Sequence, residues 1–270
     1  MHKHILITGS TDGIGKLTAL ELAKEGHSIY VHGRDEAKLN ATITTLKKTA
    51  NNPNIKGYVA DFSDLNAVGK MANQIKRDVP ALDVLINNAG VFKTKNTLTK
   101  SRLDYRFTVN YLAPYHLTNV LLPNLKSAKS PRILNLSSAA QSSIISGVMN
   151  GDVIAHVNEA YAQSKLALTM WSFNLAQQET SIIVIAVNPG SLLNTKMVAE
   201  AYGHHWSPAK KGADILYSLA IDTRHASSSG RYFDNDKGYY DDAHPDVYDK
   251  EKRKELLIKT DKLLSALGFS

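Results

Sequence analysis

Cysteine is absent from all 270 residues. Its absence excludes disulfides, zinc–thiolate sites and thiol catalysis, and it suits a reducing compartment. Long hydrophobic runs are missing too. The longest, "IIVIAV" at 182–187, is far too short to span a bilayer. The opening "MHKHILITGS" leaves no room for a signal peptide, because a glycine motif begins within it. A cytoplasmic chain without a membrane span is therefore expected. The net charge of +7 raises nucleic acid as a partner. The lysines are scattered, however, with no long basic block and no aromatic–basic platform, so no nucleic-acid partner is expected. A mild positive balance also suits a ligand that carries several phosphates.

What is present is a rhythm. "HILIT", "SIYVHG", "IKGYVA", "LDVLIN", "RILNLS" and "SIIVIAV" read as strands. "GIGKLTALELAKEG", "DEAKLNATITTLKKTA", "DLNAVGKMANQIKRD" and the stretches near 99–124 and 159–179 have helical spacing. Strand and helix in regular alternation predict an α/β fold: a doubly wound, mostly parallel sheet of the Rossmann type, covered on both faces. One domain over residues 1–270 is expected, with function at the carboxyl ends of the strands. Two segments break the rhythm and are candidate substrate-mouth loops. They are 139–158, long and rich in small residues, and 191–207 after "NPG". The stretch "YFDNDKGYYDDAHPD" reads as an acidic–aromatic loop before a closing helix that starts near residue 249.

Between the first strand and first helix, "TGSTDGIG" places Gly9, Gly13 and Gly15. Glycines there allow a tight turn whose amides approach a pyrophosphate at a positive helix N-terminus. The spacing is not that of a Walker loop, since Leu17 follows Lys16. At the end of the second strand, "YVHGRDEAKL" offers two readings. Arg34 after Gly33 suits a ribose 2′-phosphate, which favours NADP(H) over NAD(H). Asp35 turned inward would instead accept from a 2′-hydroxyl.

Tyr161 and Lys165 in "YAQSK" share one helical face. A unit charge about 4 Å away, at an effective dielectric near 20, stabilises a phenolate by about 4 kcal/mol before desolvation. A phenol tuned in this way can pass a proton to or from a carbonyl oxygen. Alone, the pair would read as a surface contact, but it has company. Ser137 and Ser138 end the fifth strand with hydroxyls that can polarise a substrate oxygen. "NNAG", Asn87 to Gly90, and "NPG", 188–190, make turns that would border a nicotinamide. Asn110 in "RFTVNYLA" interrupts an apolar helix face, so its amide is either structural or part of a proton relay.

"TGSTDGIG", "NNAG", "VNYLA", "NLSS", "YAQSK" and "NPG" occur in the order found in the short-chain dehydrogenase/reductase family, and over residues 5 to about 195 the chain resembles its compact-subunit branch. The resemblance implies an NADP(H)-dependent oxidoreductase interconverting a carbonyl and an alcohol, usually as a homodimer or homotetramer. It implies Tyr161 as general acid/base, Lys165 lowering its pKa and holding the nicotinamide ribose, Ser138 orienting the carbonyl, and Asn110 holding a water that links Lys165 to solvent. It also assigns cofactor contacts to Gly9, Ser10, Thr11, Asp12, Gly13, Ile14 and Gly15 in the first turn. Further contacts are assigned to Arg34, Asp61 with Phe62, Asn87, Ala89, Gly90, Pro189, Gly190 and Thr195. Thr195 sits one place further from Gly190 than the family pattern. Ser138 and Tyr161 stand 23 positions apart, well beyond the family's usual spacing and similar to its retinol-dehydrogenase-like members, so 139–158 either shapes the substrate mouth or is a surface excursion. A cofactor-sensing protein that lost turnover is the alternative reading, although such a chain would be expected to have lost Tyr161 or Lys165. No metal site is expected: the adjacent histidines of "GHHW", 203–206, lack a third ligand at the right spacing. "DNDKG", 234–238, matches a calcium loop only in part and reads as a turn.

Overall fold

Along each central strand, alternate residues enter opposite apolar clusters. Leu6, Leu85, Ile133 and Val184 pack on one side of the sheet, while Ile5, Ile86, Leu134 and Ile185 pack on the other. That is the period of two that β-geometry imposes. The computed structural model describes residues 1–203 and 206–269; His204 and His205 of the "GHHW" stretch lie outside the described residues. Its strands are β1 (His4–Ile7), β2 (Ser28–Gly33), β3 (Ile55–Val59), β4 (Val84–Asn87), β5 (Arg132–Leu136), β6 (Ile183–Asn188), β7 (Arg231–Asp234) and β8 (Tyr239–Asp241). They form one sheet in the order β3-β2-β1-β4-β5-β6-β7-β8. Only the last pair, β7 with β8, is antiparallel.

The helices are α1 (Gly13–Lys24), α2 (Glu36–Ala50), α3 (Leu65–Asp78), α4 (Tyr105–Phe107), α5 (Ala113–Lys126), α6 (Val157–Gln178), α7 (Lys196–Tyr202), α8 (Ala209–Ile221) and α9 (Lys250–Ala266). Aspartates set many of their starts. Asp12, Asp35, Asp64 and Asp249 cap α1, α2, α3 and α9 by accepting from first-turn amides. Helices α1, α2 and α8 cover one face of the sheet; α3, α5, α6 and α9 cover the other. The doubly wound, mostly parallel architecture expected from the alternation is the one observed. The chain leaves β1 toward β2 and β3, then returns to its other side with β4. A crevice therefore opens at the carboxyl ends of β1 and β4, the topological switch point where open α/β sheets bind ligands.

Two departures matter. The acidic–aromatic stretch read as a loop contains most of β7 and all of β8. β1 and β4 are just as short but are built from apolar runs, whereas β7 and β8 each end in an aspartate and flank a polar turn, which is why the sequence reads as irregular. "DNDKG" makes the turn, with Gly238 at φ +81°. The second departure is in the helix read over 99–124. It starts at Tyr105 and is interrupted by a π-helical turn, Thr108–Leu112, where the Ala113 amide reaches back to Thr108 O. No helix among the described residues is long and apolar enough to cross a membrane.

Helix α9 is docked, not appended. Leu256 and Leu264 are buried against the α6 side of the core, the Tyr111 hydroxyl pairs with Thr260 Oγ1 at 2.8 Å, and the Tyr115 hydroxyl donates to Asp261 at 2.6 Å. Leu264→Ala is expected to lower stability by about 2–4 kcal/mol in urea denaturation, as for a buried leucine with limited room to collapse. A loss below about 1 kcal/mol would mean that α9 is peripheral to the core.

Candidate active site

The turn after β1 is shaped by where its side chains are missing. Gly9 lies at φ +62° and Gly13 at φ +51°, conformations that L side chains rarely adopt. A Cβ on Gly9 would stand 2.8 Å from Ala89 Cα, and one on Gly15 would stand 2.4 Å from Asn88 Nδ2. The β1 and β4 turns therefore touch backbone to backbone. Asn88 welds them: its Nδ2 donates to Thr8 O at 2.7 Å and Gly9 O at 3.0 Å. Thr8 Oγ1 in return accepts from the amides of Asn88 and Ala89, both at 3.0 Å.

Several amides of the turn are already bonded. Gly9 N–H goes to His32 Nδ1, Ser10 N–H to His32 O, Gly13 N–H to Asp12 Oδ1 and Lys16 N–H to Asp12 O. Among the described residues this leaves the amides of Thr11, Asp12, Ile14 and Gly15 without a protein acceptor. A cluster of unpaired N–H groups at the start of a helix is an anion site in waiting. A dinucleotide's pyrophosphate fits this cradle by its chemistry, since unpaired N–H donors and the positive end of α1 converge there.

At the end of β2, Arg34 is exposed next to Gly33, whose missing Cβ would meet Thr11 Cγ2 at 2.5 Å. Asp35 Oδ1 is engaged at 2.7 Å by the Lys38 amide as the cap of α2. Lys38 Nζ reaches back over the turn to Asp12 at 2.6 Å, and that ammonium is the main reason why the Asp12 carboxyl is held below its ordinary pKa. At the end of β3, Asp61 is exposed and accepts from the Ser63 amide, while Phe62 is buried with its ring on His32.

On the other side of the crevice, α6 carries Tyr161 and Lys165. Lys165 is only 4% exposed, and its Nζ donates to Leu136 O at 2.7 Å. Nζ lies 5.6 Å from the centre of the Tyr161 ring. Burial pulls the pKa of Lys165 down to about 8. The Tyr161 ring meets Phe92 edge to face at 4.8 Å. Phe92 is itself held, because Arg106 Nε donates to its carbonyl at 2.8 Å.

The structure separates the two serines. Ser137 is buried and bonds Thr169 Oγ1 at 2.6 Å, inside the β5–α6 packing. Ser138 is half-buried at the crevice, its Oγ accepting from the Ala140 amide at 3.1 Å. Asn110 sits in the π-helical turn with its carboxamide fully engaged. It accepts from Val91 N–H at 2.8 Å and donates to Val91 O and Ser164 Oγ, both at 3.0 Å. Gly90 lies above it: a Cβ there would stand 3.3 Å from Asn110 Oδ1 and 3.5 Å from Lys165 Nζ. Asn87, one residue before the weld at Asn88, points into the sheet interior and bonds Asn135 and Thr118.

The "NPG" turn is held from below by the β7–β8 hairpin. Asn188 Nδ2 donates to Asp234 and Asp236, Asp236 accepts from the Ser191 amide, and Asn235 Nδ2 donates to Pro189 O. Gly190 takes φ +118°. Thr195 caps α7 by accepting from the Val198 amide at 3.3 Å, and its methyl lies 3.5 Å from the place of a Cβ on Gly13. The segment after β6 thus overlies the glycine turn. Segment 139–158 is anchored along its length: Ser143 bonds Asp246, the Ile145 amide bonds Gln163, and Met149 O accepts from the Asp104 amide. Val148 is buried, while Ile145, Val153 and Ile154 are exposed along its rim. Sequence reasoning missed Thr8, His32 and Arg106, and it placed Asn88 in the "NNAG" turn without its bonds to Thr8 and Gly9, because these roles depend on partners distant in the chain.

Comparison with known proteins adds the family. Residues 3–205 match the short chain dehydrogenase family. Retinol dehydrogenase 13 from Mus musculus is 30% identical over 97% of this chain and 84% of its own. Polyprenol dehydrogenase from Homo sapiens is 30% identical over 81% and 68%. A solved structure described as a short chain dehydrogenase from Shigella flexneri, complexed with NADP, is 25% identical with a TM-score of 0.69, covering 87% of this chain and 97% of that one.

The serine assignment is testable by stability alone. Ser137→Ala is expected to cost roughly 1 kcal/mol or more in urea denaturation, and Ser138→Ala to stay within about 0.5 kcal/mol. Equal losses would mean that the two hydroxyls are not partitioned between core and crevice.

Proposed function

The chain belongs to the short chain dehydrogenase family and is an oxidoreductase of alcohol and carbonyl groups; from that premise we propose that it is NADP(H)-dependent, with Tyr161 as the proton carrier. The observation that carries the reading is Lys165, a buried ammonium one helical turn from Tyr161. A positive charge in a site of low polarity favours the phenolate over the phenol, so proton transfer from the Tyr161 hydroxyl to a carbonyl oxygen becomes easier. Ser138, half-buried at the crevice, donates to that same oxygen and fixes its direction. Asn110 locks the backbone at Val91 and so holds Gly90 against Lys165. The nicotinamide, when bound, supplies or accepts the hydride at carbon.

The four unpaired amides of the β1–α1 turn hold the pyrophosphate in this proposal. Asp61 takes the adenine side, Ala89, Gly90, Pro189 and Gly190 border the nicotinamide, and Thr195 reaches its carboxamide. For the ribose, Arg34 presents an exposed guanidinium beside the turn, and Asp35 is engaged as a helix cap. Both features support a 2′-phosphate over a 2′-hydroxyl. For the substrate we propose an elongated apolar alcohol or aldehyde. The exposed Ile145, Val153 and Ile154 on the rim of 139–158 support it, as do relatives named for retinol and polyprenol. A cytoplasmic homodimer or homotetramer completes the reading, and light scattering that gives the mass of one chain would count against assembly.

NADPH consumption at 340 nm with a panel of aldehydes tests the enzyme. Tyr161→Phe is expected to lower kcat by about a hundredfold or more while leaving NADPH affinity within about threefold. Retained turnover would remove Tyr161 from the reaction. Cofactor choice is tested separately by fluorescence titration. The parent should bind NADPH at least about tenfold more tightly than NADH, and Arg34→Ala should abolish most of the difference. Equal binding in the parent would return the ribose to Asp35.

A further inference from the structure

His32 has no part in the proton chemistry, yet it is among the most completely engaged side chains beside the crevice. It lies in β2, 3% exposed, with both ring nitrogens used. Gly9 N–H donates to Nδ1 at 3.0 Å, and Nε2 bonds Ala60 O at 3.0 Å. The His32 backbone is bound to the same turn from both sides. Its N–H donates to Ser10 Oγ and its carbonyl accepts from Ser10 N–H, both at 2.9 Å. Its ring stacks on Phe62 at 4.3 Å with 28° between the planes.

From this geometry we infer that His32 is a positioning residue for the cofactor. Its ring is the spacer that sets the phosphate turn after β1 at a fixed distance from the adenine-side segment after β3. The inference rests on the NADP(H) reading above. The chemistry of the two bonds fixes the state of the ring. An amide N–H needs a lone pair, so Nδ1 carries no proton, and a carbonyl needs a donor, so Nε2 carries it. The neutral Nε2–H tautomer is the only form that satisfies both partners. Burial supports it by holding the pKa down to about 4, against the opposing pull of the Ala60 carbonyl and then of Asp61.

The consequence reaches the cofactor through Gly9. Its amide is directed at His32, away from any phosphate, and this helps to hold the backbone at φ +62°. With Gly9 in that conformation, the unpaired amides of Thr11, Asp12, Ile14 and Gly15 follow in the same turn. Without an acceptor at Nδ1, the half-buried Gly9 N–H loses its partner and the turn gains reason to rearrange. Binding must then reorder the turn, which weakens affinity without touching Tyr161, Lys165 or Ser138. At Ala60 the same ring fixes the residue before Asp61. One side chain thus sets two segments that would contact opposite ends of the adenosine diphosphate.

Two substitutions separate positioning from scaffolding. His32→Phe keeps a ring against Phe62 and removes both bonds; His32→Gln loses the stack and keeps an acceptor and a donor. NADPH titration followed by fluorescence should show His32→Phe weakened by about tenfold or more. Its kcat at saturating NADPH should stay within about threefold of the parent, and His32→Gln should bind within about threefold of it. Parent-like affinity in His32→Phe, or equal weakening in both variants, would overturn the inference. Absence of NADPH binding by the parent would overturn the cofactor reading along with it. A readout that needs no variant is the long-range 1H–15N spectrum of histidine-labelled protein. His32 must be the neutral Nε2–H tautomer at pH 7, and NADPH must shift its Nδ1 resonance. An imidazolium, an Nδ1–H tautomer or an unmoved resonance would contradict the assignment.

Discussion

A single buried ammonium organises one half of this site. Lys165 is removed from water, and its Nζ bonds the carbonyl of Leu136. Taking a charge out of water is costly, and the fall of its pKa from 10.5 to about 8 corresponds to roughly 3 kcal/mol of destabilisation at neutral pH. Such a group persists where surrounding structure over-determines it. Around Lys165 that structure is specific: the Thr169 hydroxyl donates to the Lys165 carbonyl and accepts from Ser137 Oγ, and Asn110 ties Ser164 to Val91. Helix α6, the end of β5 and the turn after β4 are locked together at the point where the charge is held.

The other half is built on backbone contact. Gly9 and Gly15 let the turn after β1 lie directly on the turn after β4, and Asn88 and Thr8 join the two. His32 joins the first of them to β3. The β7–β8 hairpin does similar work on the far side, where Asp234 and Asp236 hold Asn188 and Ser191 at the root of the segment that overlies the turn. Each strand end that would meet the cofactor is therefore fixed by a neighbouring strand end. This explains how short connections at the edge of a sheet can present amides, hydroxyls and an ammonium in one crevice without a second domain.

Much of this was readable in the sequence because it is local. The glycine turn, the alternation of strands and helices, and the pairing of Tyr161 with Lys165 are set by spacing along the chain, and the parallel sheet follows from them. The rest depends on which way a side chain faces and on partners far away. Asn87 and Asn88 differ by one position and so by the face of a strand: the first enters the core and the second welds the glycine turn. Ser137 and Ser138 divide in the same way. His32 reads as an ordinary strand residue until Gly9 and Ala60 are brought to its two nitrogens. β7 and β8 read as a loop because, unlike the equally short β1 and β4, they are not apolar runs: each ends in an aspartate beside a polar turn. The 139–158 segment lacks a period, and its order comes from anchors at Asp246, Gln163 and Asp104.

The measurement that bears most directly on this account is the titration of Lys165 in the folded protein, followed by the 13Cε resonance of labelled lysine and assigned with Lys165→Met. The account requires a midpoint near 8, well below the ordinary 10.5. Between those values the unfolded chain holds the proton and the folded one has released it. Lys165 must therefore make the protein more stable as the pH rises from about 8 to 10.5, with no further gain above. A midpoint at or above 10.5 would show an ammonium in contact with water, and the buried charge on which the tyrosine chemistry rests would not exist.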